Sequence, residues 1–160
     1  MCEVNKLLLL TKKIANIAFQ KLVQININDF SQVHYSQKLP REMKSGADTV
    51  MEKLILDQLL PTGISVLSEE SGELSKGSRT SHMRFVVDPL DGTKEFVKRN
   101  GEFTVNIALI DQNIPILGVI HIPVTDETYW GSEVSGSFYQ NKNSDVKKNL
   151  IKVILFFPSA

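Results

Sequence analysis

Phe85-Val86-Val87-Asp88-Pro89-Leu90-Asp91-Gly92-Thr93-Lys94-Glu95-Phe96 is the stretch on which the reading of this chain turns. Residues 84–87 carry the β-branched and aromatic side chains of a buried strand. Pro89 offers no N–H and is expected to break the ladder, and Gly92 permits a tight bend before a helix-capable segment. Asp88 and Asp91 then stand at a strand end, where a bent backbone lets them converge on a hard cation such as Mg²⁺, which takes oxygen ligands. A Gly92-Thr93 step at a helix start leaves N–H groups facing outward, a setting that favours a phosphate oxygen. Asp-Pro and Asp-Gly pairs also mark ordinary turns, so the cluster alone would equally suit a plain strand-turn-helix corner. A second apolar run ending in acid, Leu67-Ser68-Glu69-Glu70-Ser71-Gly72-Glu73, favours the cation, because it can bring a further carboxylate to the same edge.

At 160 residues and 42% hydrophobic content the chain fits one domain with a real core. Eighteen basic residues balance eighteen acidic ones and no basic stripe with interleaved aromatics is present, which disfavours nucleic acid as a partner. The single cysteine, Cys2, excludes an internal disulfide framework and a cysteine-based zinc cluster, and suits a reducing compartment, with cytoplasm the expected location. The start has only Lys6 ahead of Leu7-Leu8-Leu9-Leu10, too short to span a membrane and with no small-residue cleavage site following, so no export signal is expected.

Outward from the central stretch, residues 3–25 place Leu7, Leu10, Ile14, Ile17, Ala18, Leu22 and Ile25 at three- and four-residue spacing, with Lys6, Lys12, Lys13 and Lys21 off that face. This predicts an amphipathic helix lying on its own core. Residues 26–44, with His34 and Pro40, read as an irregular connection. A second helix opens at Ser45-Gly46-Ala47-Asp48, carries Val50, Met51, Leu54, Ile55 and Leu59, and ends near Pro61 and Gly63. Ser45 and Asp48 have capping-box spacing, which would account for Asp48 with no catalytic role at all. Residues 64–67 predict a strand, 72–82 a polar loop holding His82, and 93–99 a short helix. Residues 103–110 and 114–122 predict two strands joined as a hairpin by Asp111-Gln112-Asn113, with His121 on a strand face and given no chemistry. Thr128-Tyr129-Trp130-Gly131 and Gly136-Ser137-Phe138-Tyr139 predict two more, in a mostly antiparallel sheet. From Asn141 the composition turns polar and lysine-rich, then abruptly apolar over residues 151–157.

Among phosphate chemistries, the absence of a Gly-rich Walker loop and of a dinucleotide fingerprint excludes P-loop hydrolysis and Rossmann redox chemistry. Leu90-Asp91-Gly92-Thr93 superficially resembles the haloacid dehalogenase phosphatases, but the nucleophilic Asp of that motif would stand at Pro89. Attack by a metal-activated water fits better. Ser68-Glu69-Glu70-Ser71 followed by Asp88-Pro89-Leu90-Asp91-Gly92-Thr93 closely resembles the lithium-sensitive, magnesium-dependent superfamily of inositol monophosphatases and 3'(2'),5'-bisphosphate nucleotidases. Lys94-Glu95-Phe96 and Asn100-Gly101-Glu102-Phe103-Thr104-Val105-Asn106 look most like the bacterial bisphosphate nucleotidase, CysQ-like branch; inositol monophosphatases usually carry Thr-Asn-Phe at residues 94–96.

The resemblance implies an α+β fold, the N-terminal half of a layered αβαβα sugar-phosphatase, with two main helices on a largely antiparallel sheet. Residues 1–140 would form the metal-binding domain and 141–160 a divergent tail, with the family's C-terminal α/β domain absent. By position it implies Glu69, Asp88 and the Leu90 carbonyl as ligands of one Mg²⁺ and Asp88 with Asp91 as part of a second, Glu70 being the weaker candidate. The family holds two or three cations per intact site, and fewer are expected here. Asp48 and Thr93 would orient and deprotonate the water, while Asp91, Gly92 and Thr93 would meet the substrate phosphate. The implied activity takes adenosine 3',5'-bisphosphate to AMP and phosphate. Alternatives are an inositol or sugar-phosphate monophosphatase, and a catalytically dead fragment acting as a metal-binding or interaction module. Two departures matter: the family's Ser-Pro-Val-Thr-x-Ala-Asp type stretch is only Lys44-Ser45-Gly46-Ala47-Asp48 here, and nothing matches its C-terminal Trp-Asp-x-Ala type motif. Impaired or absent activity is therefore expected of the chain alone, and an exposed sheet side would favour a homodimer.

Overall fold

The computed structural model describes residues 3–28, 46–75, 77, 82–98, 100–143 and 146–149. Two helices come first, α1 (Glu3–Asn28) and α2 (Gly46–Leu59), the second closing in a 3-10 turn, Leu60–Thr62. Then come β1 (Ser65–Ser68), β2 (Leu74–Ser75), β3 (Met83–Asp91), α3 (Thr93–Lys98), β4 (Thr104–Asp111), β5 (Ile114–Ile122), β6 (Glu127–Ser132), β7 (Gly136–Asn141) and β8 (Lys147–Asn149). The strands form one sheet in the order β2-β1-β3-β4-β5-β6-β7-β8, in which β1 and β3 run parallel and every other pair antiparallel. The expected class, two main helices on a largely antiparallel sheet, is the observed one.

Both helices lie on one face of the sheet, α1 against β4, β5 and β6, and α2 against β1 and β3. The buried face of α1 is turned from the expected stripe: Leu7, Leu8, Thr11, Ile14, Ala15, Ala18 and Leu22 are inside, and Leu10 and Ile17 only half-buried. Thr11 can lie inside because its hydroxyl donates to the Leu7 carbonyl at 2.7 Å, so no polar group is left unpaired. Lys12 is half-buried rather than solvent-facing, its Nζ 3.1 Å from the centre of the Trp130 ring. Along α2 the buried positions are Ala47, Asp48, Met51, Ile55 and Leu59, whereas Val50, expected inside, is 42% exposed. Gly63, at φ 80°, closes the turn with its N–H on the Leu60 carbonyl.

Three boundaries depart from the sequence reading. The β4–β5 link is two residues, not three, since Asp111 pairs with Ile114; Gln112 and Asn113 both have positive φ, 48° and 69°, which suits a right-twisted hairpin. The predicted loop over residues 72–82 contains β2, which pairs antiparallel with β1. Most consequentially, Pro89 does not end its strand. β3 continues to Asp91, and Pro89 lies within an irregularity of the β3–β4 register, a place where its missing N–H costs no regular ladder bond. The irregular connection expected over residues 26–44 begins later than expected, since α1 continues through Asn28; residues 29–44, the cap residue Ser45, Arg99 at the end of the short helix and the apolar run 151–157 fall outside the described residues, as does the side chain of Ile25. No helix among the described residues is long and apolar enough to cross a membrane.

Candidate metal and phosphate site

Two acids three residues apart in a regular strand point to opposite faces of the sheet. Here Asp88 pairs with Asn106 and Asp91 with Thr104, so three steps along β3 match two along β4. The extra residue is a bulge, and it restores both carboxylates to one face and one end of the sheet. The strand then turns at Gly92, whose φ of 91° and tight approach to the neighbouring loop admit no side chain. A Cβ there would stand 2.8 Å from the Glu102 carbonyl oxygen and 3.2 Å from Phe103 Cα. α3 follows at once, with Phe96 N–H on the Gly92 carbonyl and the Phe96 ring packed edge-on against Phe103 at 5.1 Å.

The other sequence-predicted residues meet this corner from two directions. Asp48, 1% exposed, occupies the buried stripe of α2, and Thr93 Oγ1 lies 3.2 Å from its Oδ1 and 3.2 Å from the Leu90 carbonyl oxygen. One hydroxyl proton serves one of those acceptors at a time, so Thr93 ties α2 to the end of β3. Glu69 follows β1; its N–H donates to the Val87 carbonyl at 2.9 Å, which sets an exposed carboxylate beside Asp88. Glu70 is half-buried in the same turn. His82 is exposed and His121 is buried in β5 with Nδ1 2.8 Å from Thr128 Oγ1.

Burial, then the charges of Asp91 and Glu69, and more weakly that of Asp48, push the Asp88 carboxyl up to about 7; the Leu90 N–H donated to its Oδ1 at 3.2 Å works the other way. No basic side chain among the described residues offsets this crowding. One residue before Glu69, Ser68 Oγ is fully buried and has no hydrogen-bond partner among the described residues. An all-oxygen set rich in carboxylate fits a hard divalent cation. Among the described residues no three His, Cys, Asp or Glu side chains are gathered tightly enough to ring an ion, so the fit rests on donor chemistry and a shared corner rather than a closed cage. An open groove of about 310 Å³ lies elsewhere, across β5, β6 and β7 over Gly118 and Gly131, and includes none of these carboxylates.

Two polar residues of β4 escaped the sequence reading as site residues. Thr104 Oγ1 donates to Asn106 Oδ1 at 3.0 Å, and Asn106 Nδ2 donates to Asp91 Oδ2 at 3.2 Å. The available signal was their alternation at the start of an otherwise apolar strand.

The chain matches the model of the inositol monophosphatase family over residues 5–156. It belongs to that family. Among its relatives, the 3'(2'),5'-bisphosphate nucleotidase CysQ of Salmonella typhimurium is 45% identical over 103 residues, which are 63% of this chain and 42% of that protein. The CysQ of Escherichia coli K12 is 48% identical over 91 residues, 56% of this chain and 37% of the relative. Among solved structures, the extragenic suppressor protein suhB of Bartonella henselae superposes with a TM-score of 0.76 at 33% identity, covering 84% of this chain and 52% of that one. CysQ of Bacteroides thetaiotaomicron, a bacterial member of the inositol monophosphatase family, gives 0.69 at 33% identity, over 92% and 53%. This member of the family thus spans about half the length of the relatives it matches, or less.

Proposed function

We propose that the corner formed by Asp48, Glu69, Asp88, Leu90, Asp91, Gly92 and Thr93 is the metal and phosphate end of a bisphosphate nucleotidase-type phosphatase, acting on a 3'-phosphate such as that of adenosine 3',5'-bisphosphate. The observation that carries the reading is the Thr93–Asp48 hydrogen bond, 3.2 Å, between residues 45 apart in sequence. Helix capping is local to α2 and does not require a partner from the start of α3.

Glu69, Asp88, Asp91 and the Leu90 carbonyl would hold Mg²⁺, which when bound neutralises phosphoryl oxygens and acidifies a water. Accepting from Thr93, the Asp48 carboxylate turns the hydroxyl's lone pairs outward, where they can accept from a water and aim it. First-turn N–H groups at Gly92 and Thr93 have no acceptor within so short a helix and would receive the phosphate oxygens. Residues 1–140 would then be the metal-binding half of a cytoplasmic phosphatase, with recognition of the rest of the substrate lying outside this corner.

The test is Mg²⁺-dependent phosphate release by the purified chain from adenosine 3',5'-bisphosphate and, separately, inositol 1-phosphate, with Asp91→Asn and Asp48→Asn as controls. Release from the nucleotide that is slow, and that needs Mg²⁺ and both carboxylates, is the expected result, in keeping with the impaired activity the departures at residues 44–48 imply. Equal or faster release from inositol 1-phosphate would move the reading to the sugar-phosphate alternative. Cation binding without release from either substrate would leave a metal-binding module.

A further inference from the structure

We infer that Asn106, its amide fixed by Thr104, is a positioning residue for Asp91: it holds one carboxylate oxygen and leaves the other to a cation. The inference rests on the reading of Asp91 as a ligand proposed above.

The geometry begins with the bulge. Because β3 carries one residue more than β4 between Asp88 and Asp91, the two acids stand across the ladder from Asn106 and Thr104 respectively. Asn106 therefore reaches diagonally to Asp91, a span that adjacent strands allow. A carboxylate only accepts, so the side of the Asn106 amide that meets Asp91 Oδ2 at 3.2 Å must be Nδ2. That orientation is enforced from the other end: Asn106 Oδ1 accepts the Thr104 hydroxyl at 3.0 Å. The chain of donors runs one way, Thr104 to Asn106 to Asp91, and no described residue bonds to Asp91 Oδ1.

Asp91 needs such a hold because it is exposed at the strand end, beside the Gly92 turn, where packing does not fix its rotamer. Partial exposure to water alone would accept any hydrophilic side chain at these two half-buried positions. It would not order the two groups so that the amide hydrogen meets the acid and the amide oxygen meets the alcohol. Groups that orient a metal ligand from outside its coordination sphere are commonly worth 10- to 100-fold in affinity.

The test uses the full chain with Asn106→Leu, Thr104→Val, Thr104→Ser and Asp91→Ala variants and two readouts. In cation-free protein, the Asn106 side-chain amide resonances should shift on Asp91→Ala and on Thr104→Val, and keep their positions in Thr104→Ser, whose hydroxyl rescues the donor. Calorimetric titration with Mg²⁺ alone should show about a tenfold weaker Kd for Asn106→Leu, a smaller loss for Thr104→Val and recovery in Thr104→Ser. Amide resonances indifferent to Asp91→Ala, or an unchanged Mg²⁺ affinity in Asn106→Leu, would overturn the positioning role and leave the site reading standing. A coupled amide in a parent chain that binds no Mg²⁺ would overturn the ligand role of Asp91, and with it the positioning of a ligand.

Discussion

Gly92 shows how much of the corner depends on one missing side chain. At φ 91° an L-residue is strained, and its Cβ would press on the backbone of residues 102 and 103, which cannot swing aside as a side-chain tip would. Gly92→Ala should lower stability by about 2 kcal/mol, combining the cost of positive φ with the displacement of that loop, as read by urea unfolding. The titrating residues make a second prediction, because two of them pull stability in opposite directions. Asp88 is raised from 3.8 to about 7 by burial and by neighbouring acids, so across that window the folded chain binds a proton that the unfolded chain does not. Its contribution is full below 3.8 and is lost as pH rises through about 7. Burial lowers the His121 imidazole below its ordinary 6.5, against the pull of Asp126, so its contribution is full above 6.5 and is lost as pH falls. In EDTA, Asp88→Asn should abolish the loss toward neutral pH and leave stability rising with pH, while His121→Gln should flatten the acid side. A parent-like pH profile in Asp88→Asn would mean that this carboxylate is not the crowded one.

At the scale of elements, the sheet is built from turns whose chemistry is only partly optimal. The β4–β5 hairpin asks for two residues at positive φ and receives Gln112 and Asn113, at 48° and 69°. Asn113 adopts that region readily and its Oδ1 also accepts from Arg84 Nη2 at 2.7 Å, but Gln112 has no such aptitude. Gln112→Asn should therefore raise stability by roughly 0.5 kcal/mol, seen as a higher denaturation midpoint with unchanged slope. A loss instead would mean that Gln112 makes a contact worth more than its backbone strain. What was legible in the sequence divides along the same line. Six of the eight described strands and both long helices could be read because their periodicity is local, whereas β2 and β8, two and three residues long, carry no period to read; the acids of β3 stood out as a cluster. The bulge could not be read, because register exists only between β3 and β4, and without it Pro89 looked like a terminator. Asp48 lay between the two cases. Its capping-box spacing was visible, yet its place on the buried stripe with Met51, Ile55 and Leu59 is what separates it from an ordinary first-turn acid. Thr104 and Asn106 lie in the string that carries the family resemblance, but nothing in that string points to a role for them, since their partner is defined by the bulge as well.

Across the whole molecule, the carboxylates are distributed over elements that share one core. Asp48 comes from α2, Glu69 from the end of β1, and Asp88 and Asp91 from β3; a single cluster of buried residues runs from both helices through β1, β3, β4, β5 and β6. Trp130 sits at the far side of that cluster, stacked on Phe138 at 5.6 Å with Lys12 of α1 over its ring, so it reports whether α1 is docked on the sheet. If the core is one cooperative unit, Trp130 fluorescence and far-ultraviolet circular dichroism should give coincident unfolding curves. A cation held by the carboxylates should then move both curves together, even though Trp130 is remote from the acids in the sheet order, with β4 and β5 between its strand and β3. The expected gain follows from mass action, about 2.7 kcal/mol when Mg²⁺ stands at a hundred times its Kd, and Asp91→Asn should remove most of it. Mg²⁺ that raised the dichroism midpoint and left the fluorescence midpoint in place would show the acidic corner folding apart from the α1 face. The Asp48–Thr93 bond would then join α2 to the start of α3 without tying that corner to the rest of the core.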